Sequence, residues 1–184
     1  MILDRLVETA LACGVKQAAW LKDIHEIVFD SSFRKQCAQN ACGQYGLCHM
    51  CPPDVGEIDS LIAQARSYDN ALLYQTVSGL EDSFDIEGML EAGQKHNDCA
   101  AKIREALQDV PCLLHLSAGA CRMCEQCTKV YGLPCAIPDK AISSLEAYGI
   151  DVCRTAVNAG MPYNGGPNTV TYFGMILAKN TPDA

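Results

Sequence analysis

Apolar residues recur along the chain with two periods, one typical of helices and the other of strands. Helical spacing over residues 2–12, 57–68 and 86–110 predicts three amphipathic helices. We expect the first to stop at Gly14 and the third at Pro111, since both residue types end helices.

Short apolar runs predict the strands of a sheet. They are QAAWL (17–21), EIVFD (26–30), ALLYQTV (71–77), CLLHLSAG (112–119) and TVTYFGMIL (169–177). The last run is apolar on both alternations, which predicts a strand in the interior of the sheet. Between these runs, residues 139–159 are expected to form a helix interrupted near Gly149, and NGGPN (164–168) is expected to form a turn.

The alternation of helices and strands predicts an α/β fold, with a sheet flanked by helices. We interpret residues 1–184 as one domain, since this length suffices for a substantial core. Two cysteine-rich segments interrupt the pattern, a first cysteine loop at 37–53 and a second at 119–138. We expect both at or near strand ends, where open α/β sheets bind ligands.

Charge and hydropathy narrow the classes of function. The chain has 14 Lys and Arg against 22 Asp and Glu, a formal net charge of −8, which argues against nucleic acid as a partner. The sequence contains no apolar run long enough for a membrane span. Asp4 and Glu8 interrupt the apolar N-terminus, so we expect no secretory signal and a cytoplasmic protein with reduced thiols. The twelve cysteines therefore need an explanation other than disulfides.

The second cysteine loop has the spacing of an iron–sulfur site. Cys121, Cys124 and Cys127 follow one another at two-residue intervals, and Cys135 completes a set of four next to Pro134. Three thiolates at this spacing cannot share one face of a helix, but they converge if the chain curls around a cubane. The pattern predicts a [4Fe–4S] cluster. Zinc is the alternative, including a four-thiolate site built from the two pairs Cys48, Cys51 and Cys124, Cys127.

The first cysteine loop, CAQNACGQYGLCHMCPP, holds Cys37, Cys42, Cys48 and Cys51 at irregular intervals. Four cysteines suffice for a second cluster, and the glycines between them would let the backbone approach its sulfurs. Two alternatives stay open. One or two of these thiols complete the first cluster while the rest are spare, or Cys48 and Cys51 form a redox dithiol.

The remaining candidate residues have weaker signals. The four scattered cysteines are expected to be small buried hydrophobes: Cys13, Cys99, Cys112 and Cys153. His49 is a candidate ligand within the first loop, and His115 is expected to be a core histidine with its hydrogen bonds satisfied. Arg122, Lys129 and Lys140 bracket the second loop, where they either offset the charge of a cluster or are simply solvated.

Residues 119–160, with G-x-C-R-x-C-x-x-C followed by SLEAYGIDV, resemble a prokaryotic family called predicted metal-binding protein, a domain of unknown function. The likeness extends upstream to the Cys-Pro-Pro element that ends at Pro53 and downstream to YFGMIL, covering about residues 30–178. The resemblance implies that Cys121, Cys124, Cys127 and Cys135 are ligands, and Cys51 with them. Cys48 is additional to the usual Cys-Pro-Pro element. The family name implies metal binding and no reaction.

These observations lead to three functional hypotheses. The first is a small protein with one or two [4Fe–4S] clusters that exchanges single electrons with a redox partner protein, its acidic surface docking on a basic patch. The second is an enzyme or maturation factor whose incompletely ligated cluster binds substrate, with Asp151, Glu146 or His49 as acid–base groups. The third is a module in which zinc only holds the loops together.

Overall fold

The computed structural model describes residues 2–180 and contains a mixed five-stranded sheet with five α-helices, the predicted α/β fold. The strands are β1 (Gln17–Trp20), β2 (Asn70–Gly79), β3 (Leu113–Ser117), β4 (Ser143–Ser144) and β5 (Thr169–Ala178). Their order in the sheet is β1-β2-β5-β3-β4. Neighbours are antiparallel except β3 and β4, which are parallel. β5 is therefore the central strand, as its two apolar faces predicted.

The helices cover both faces of the sheet. They are α1 (Ile2–Ala12), α2 (Phe33–Ala38), α3 (Ile58–Arg66), α4 (Ile86–Ala106) and α5 (Val152–Asn158). Leu72 and Ile176 face the core cluster to which α1 and α4 contribute. Leu73 and Met175, on the opposite alternation, face the cluster formed with α3, α5 and the segment 145–150. Within residues 2–180, no helix is long and apolar enough to cross a membrane.

The prediction of a strand over residues 26–30 was wrong. These residues do not join the sheet, and Phe29 makes only an isolated bridge to Ile150. The backbone there is satisfied elsewhere, because Thr155 Oγ1 accepts from the Val28 amide at 3.1 Å and the Val28 carbonyl accepts from the Asp151 amide at 2.8 Å.

The predicted helix over 139–159 is α-helical only in α5. Its first part forms β4 and two short 3-10 turns, and the left-handed backbone of Gly149 (φ 69°) ends the second of these turns. The long helix α4 also ends at Ala106, earlier than the predicted Val110, since a turn precedes Pro111.

A buried hydrogen-bonded network of hydroxyl and imidazole groups lies between α4 and the sheet. His96 accepts or donates on both ring nitrogens, with Thr76 Oγ1 at 2.9 Å from Nδ1 and Ser117 Oγ at 3.1 Å from Nε2. The Tyr74 hydroxyl lies 2.8 Å from His115 Nε2, while His115 Nδ1 is buried without a partner. The prediction of a core histidine at 115 is therefore right, but only one of its nitrogens is satisfied.

We expect both buried histidines to stay neutral well below the pH at which an ordinary histidine protonates. Burial lowers the pKa of His96 to about 4 and that of His115 to about 3. In the unfolded chain both protonate near pH 6.5. The unfolded state therefore binds more protons between pH 6.5 and 4, and each histidine removes about 2 kcal/mol of stability by pH 5.

The measurement is a titration of imidazole C2 proton signals by NMR, with exposed His25 in the same spectrum as a reference. Midpoints near 4 and 3 would agree with burial of the neutral form. A midpoint near 6.5 for either residue would contradict the buried network.

Candidate metal centre

The second cysteine loop connects β3 to β4 and folds back on itself. A 3-10 turn, Thr128–Tyr131, begins directly after Cys127 and ends at Gly132, whose left-handed backbone (φ 68°) reverses the chain. The Thr128 side chain then donates to the Pro134 carbonyl at 2.7 Å. This closed turn returns the chain so that Cys135 lies on the same cavity as Cys127.

Five thiols line one small cavity, which we call the five-thiol cavity. They are Cys48, Cys121, Cys124, Cys127 and Cys135, and the other lining residues include His49, Met50 and Ile137. Four of the thiols belong to the second loop, and Cys48 comes from the first. The structure therefore brings together all four cysteines of the ferredoxin-like run and adds one from a loop some seventy residues earlier.

Three contacts hold the first loop, with Asp54 directly after it, against the second loop and β4. His49 Nε2 lies 2.8 Å from the Leu133 carbonyl, and the Ser143 hydroxyl donates to the Met50 carbonyl at 2.8 Å. The third is an ion pair of Lys129 with Asp54. His49, predicted as a candidate ligand, uses its Nε2 in this contact. Lys129, predicted either to offset cluster charge or to be solvated, pairs with the Asp54 carboxylate.

Cys48 joins the two loops at the five-thiol cavity. It is 1% exposed, and hydrogen bonding with the Cys51 thiol lowers its pKa while burial opposes this. The same pairing, together with burial, raises the pKa of Cys51. Since the thiolate is the form that binds metals, Cys48 is the candidate ligand that the first loop contributes to this cavity.

The other three cysteines of the first loop face a different and larger space. Cys37, in the last turn of α2, lies with Cys42 and Cys51 on the wall of a cavity of about 490 Å³, which we call the three-thiol cavity. Tyr163 and Phe173 form part of its wall, their rings parallel within 8° and 5.7 Å apart. The eight cysteines of the two loops therefore divide into sets of five and three.

Arg34 is a residue of this region that sequence reasoning did not single out. It precedes Cys37 by three positions on α2, which places both on one helix face. Its Nη2 donates to the Ala147 carbonyl at 3.3 Å, while its Nε is buried without a partner. Burial raises the pKa of the Cys37 thiol, and the Arg34 guanidinium opposes this. The pattern Arg-x-x-Cys in the sequence would have indicated that Arg34 lies near Cys37 only if α2 had been recognised as a helix.

The three acid–base candidates have different environments. Glu146 lies on the wall of the three-thiol cavity. Asp151 caps α5 by accepting from the Arg154 amide, and His49 contacts the second loop. Glu146 is therefore the candidate that a ligand in the three-thiol cavity would meet.

The prediction that the scattered cysteines are buried was wrong for two of them. Cys112 and Cys153 are exposed, the first at a positive φ of 55° before β3 and the second in the first turn of α5. Cys13 and Cys99 are half-buried beside the α1–α4 core, where the Cys99 thiol donates to the Cys13 carbonyl at 3.1 Å. All twelve cysteines are free thiols.

The geometry sets what these sites can hold. Within residues 2–180, no group of three or more His, Cys, Asp or Glu side chains is placed so that it could hold a single metal ion. The five thiols instead surround a cavity of about 10 Å³, roughly the space of one water molecule. Thiolate sulfur is a ligand for zinc and for iron–sulfur clusters alike.

Comparison with known proteins agrees with a metal site. A family model described as predicted metal-binding protein (DUF2284) matches residues 21–178, which include both cysteine loops and four of the five strands. No curated protein and no solved structure matches the chain. The match covers most of the sequence, so the chain belongs to the DUF2284 family of predicted metal-binding proteins.

Proposed function

We propose that this protein binds a [4Fe–4S] cluster in the five-thiol cavity and exchanges single electrons with a partner protein. The observation that carries the proposal is the convergence of Cys48 with the four cysteines of the ferredoxin-like run on one cavity. A tetrahedral zinc ion and a cubane each take four thiolates, but the C-x2-C-x2-C spacing of the second loop, followed by a more distant Cys, is that of a cubane site.

The second loop has to move outward to admit a cubane, because the cavity between the thiols holds about 10 Å³. The loop is suited to such movement, since its regular structure between β3 and β4 consists of two short 3-10 turns. Zinc would need less displacement.

The surroundings of the cavity support electron transfer. Four large apolar side chains are exposed on the two loops that enclose it: Leu47, Val130, Tyr131 and Leu133. Exposed apolar residues beside a buried cofactor provide a docking surface. The net charge of −8 favours a partner with a basic patch, because electrostatic attraction acts at distances greater than those of apolar contacts.

The first test is anaerobic purification followed by counts of iron, acid-labile sulfide and zinc per chain. We expect about four irons and about four sulfides for each cluster. Cys124→Ser should lose about four irons per chain, while the exposed Cys153→Ser, as the matched control, should keep them. Zinc without iron or sulfide would refute the proposal, and full iron content in Cys124→Ser would show that this ligand is misplaced.

Cys48→Ser tests whether the two loops share the cluster. We expect it to lose more than about half of the iron of this site, because the Cys48 thiol lines the same cavity as the four cysteines of the second loop. Anaerobic iron and sulfide analysis beside Cys153→Ser gives the comparison. Retention of the iron would show that the second loop holds its cluster alone.

Metal should also protect the second loop from proteolysis. Arg122, Lys129 and Lys140 are trypsin sites on or beside this loop. Metal ligands contribute folding energy, so cleavage at these sites should be about tenfold slower with metal than after its removal by a chelator. Cleavage after Lys22, an exposed residue that follows β1, is the internal control and should be the same in both forms. Equal rates at the loop sites would contradict a structural role of the metal.

A further inference from the structure

The three-thiol cavity has the size and shape of a small-molecule site. Its volume of about 490 Å³ falls within the range of about 300–1,000 Å³ typical of ligand pockets. The lining is mostly apolar and aromatic, with Phe33, Tyr45 and the stacked pair Tyr163 and Phe173. Such a wall favours an apolar or aromatic molecule over a highly charged one.

Three thiols converge on this apolar space. Cys37, Cys42 and Cys51 all lie on its wall. A buried cysteine alone is a small hydrophobe, but three thiols on one cavity are candidate ligands for a cluster larger than a single ion. A cubane held by three thiolates keeps one iron without a protein ligand.

Positive charge lies beside one of the three thiols. Arg34 precedes Cys37 by three positions on one face of α2, although Arg34 itself does not line the cavity. A cation near the ligands offsets the negative charge of a thiolate-bound cluster.

We propose that Cys37, Cys42 and Cys51 hold a second [4Fe–4S] cluster, and that its fourth iron faces the cavity and binds an apolar or aromatic molecule carrying one nitrogen or oxygen donor. The proposal rests on the cluster chemistry proposed above for the five-thiol cavity. Glu146 and Ser144 lie on the same wall and would hydrogen-bond the polar end of the ligand. The aromatic pair would contact its apolar body.

Iron analysis separates the two sites. The full-length chain purified without oxygen should contain about eight irons, and Cys37→Ser and Cys42→Ser should each contain about four. Both thiols lie away from the buried core, so these replacements should leave the fold intact, and Cys153→Ser is the matched control. Four irons in the unmodified chain, unchanged by Cys37→Ser, would overturn the second cluster while the first site still stands. Zinc without iron would overturn both.

Ligand binding tests the open iron and the class of molecule. Imidazole and 4-phenylimidazole carry the same nitrogen donor, and only the second has an aromatic body. Each compound is titrated into the reduced protein, and binding is followed by electron paramagnetic resonance. 4-Phenylimidazole should bind at least about tenfold tighter than imidazole, because burial of the phenyl ring adds at least that much affinity. Tyr163→Ala, at a half-exposed wall residue, should remove most of the difference and keep the iron content.

Three results would overturn this part of the proposal. Eight irons with no spectral response to either compound would mean that every iron already has a protein ligand. Equal affinities would mean that the apolar cavity does not receive the ligand. A response that persists in Cys37→Ser, with about four irons left, would assign the open iron to the five-thiol cavity instead.

Discussion

The parallel pairing of β4 with β3 is the contact on which both cysteine loops depend. It consists of two registered pairs, Leu116 with Ser143 and Ser117 with Ser144. Parallel strands need a long crossover, which is usually a helix packed on the sheet. Here the crossover is the second cysteine loop. The pairing therefore closes this loop at both ends, and the Ser143 hydroxyl, by binding the Met50 carbonyl, fixes the first loop beside it.

The closed loops have little hydrogen bonding of their own to stabilise them. Between β3 and β4 the regular structure is limited to 3-10 turns, and several of the thiols are half-exposed. A two-residue strand and three side-chain contacts are a small source of stability against the entropy of so long a connection. A metal that binds thiols from both loops would supply the remainder, which makes the conformation of this region and its cofactor interdependent.

The limits of prediction follow from which interactions are local. The helical period identified α1, α3 and α4, and the apolar run at 169–177 identified β5, because burial on a face or in the sheet interior imposes a repeating pattern. α2 was missed since its residues precede and enter a segment rich in Gly, Asn and Cys. The strand expected over 26–30 failed because Val28 finds its partners in Thr155 and Asp151, which are far away in sequence.

The same reasoning applies to the cysteines. Spacing grouped Cys121, Cys124, Cys127 and Cys135, because neighbours in sequence are bound to be near in space. The spacing could not assign Cys48 to this group, nor could it assign Cys51 to the three-thiol cavity. That division depends on the contact of His49 with Leu133 and on the pairing of β3 with β4. Arg34 likewise becomes a candidate only once α2 places it beside Cys37.

The division of Cys48 and Cys51 between two cavities links the proposed sites. Cys48 and Cys51 are three positions apart in the first loop, so one short segment carries a member of each candidate ligand set. If both proposed clusters are bound, this segment is a short path between them. The exposed apolar residues lie beside the five-thiol cavity, and the ligand-sized space lies beside the three-thiol set. An electron delivered at the first site would reach the second through the first cysteine loop, so docking and ligand binding can occupy separate surfaces without competing.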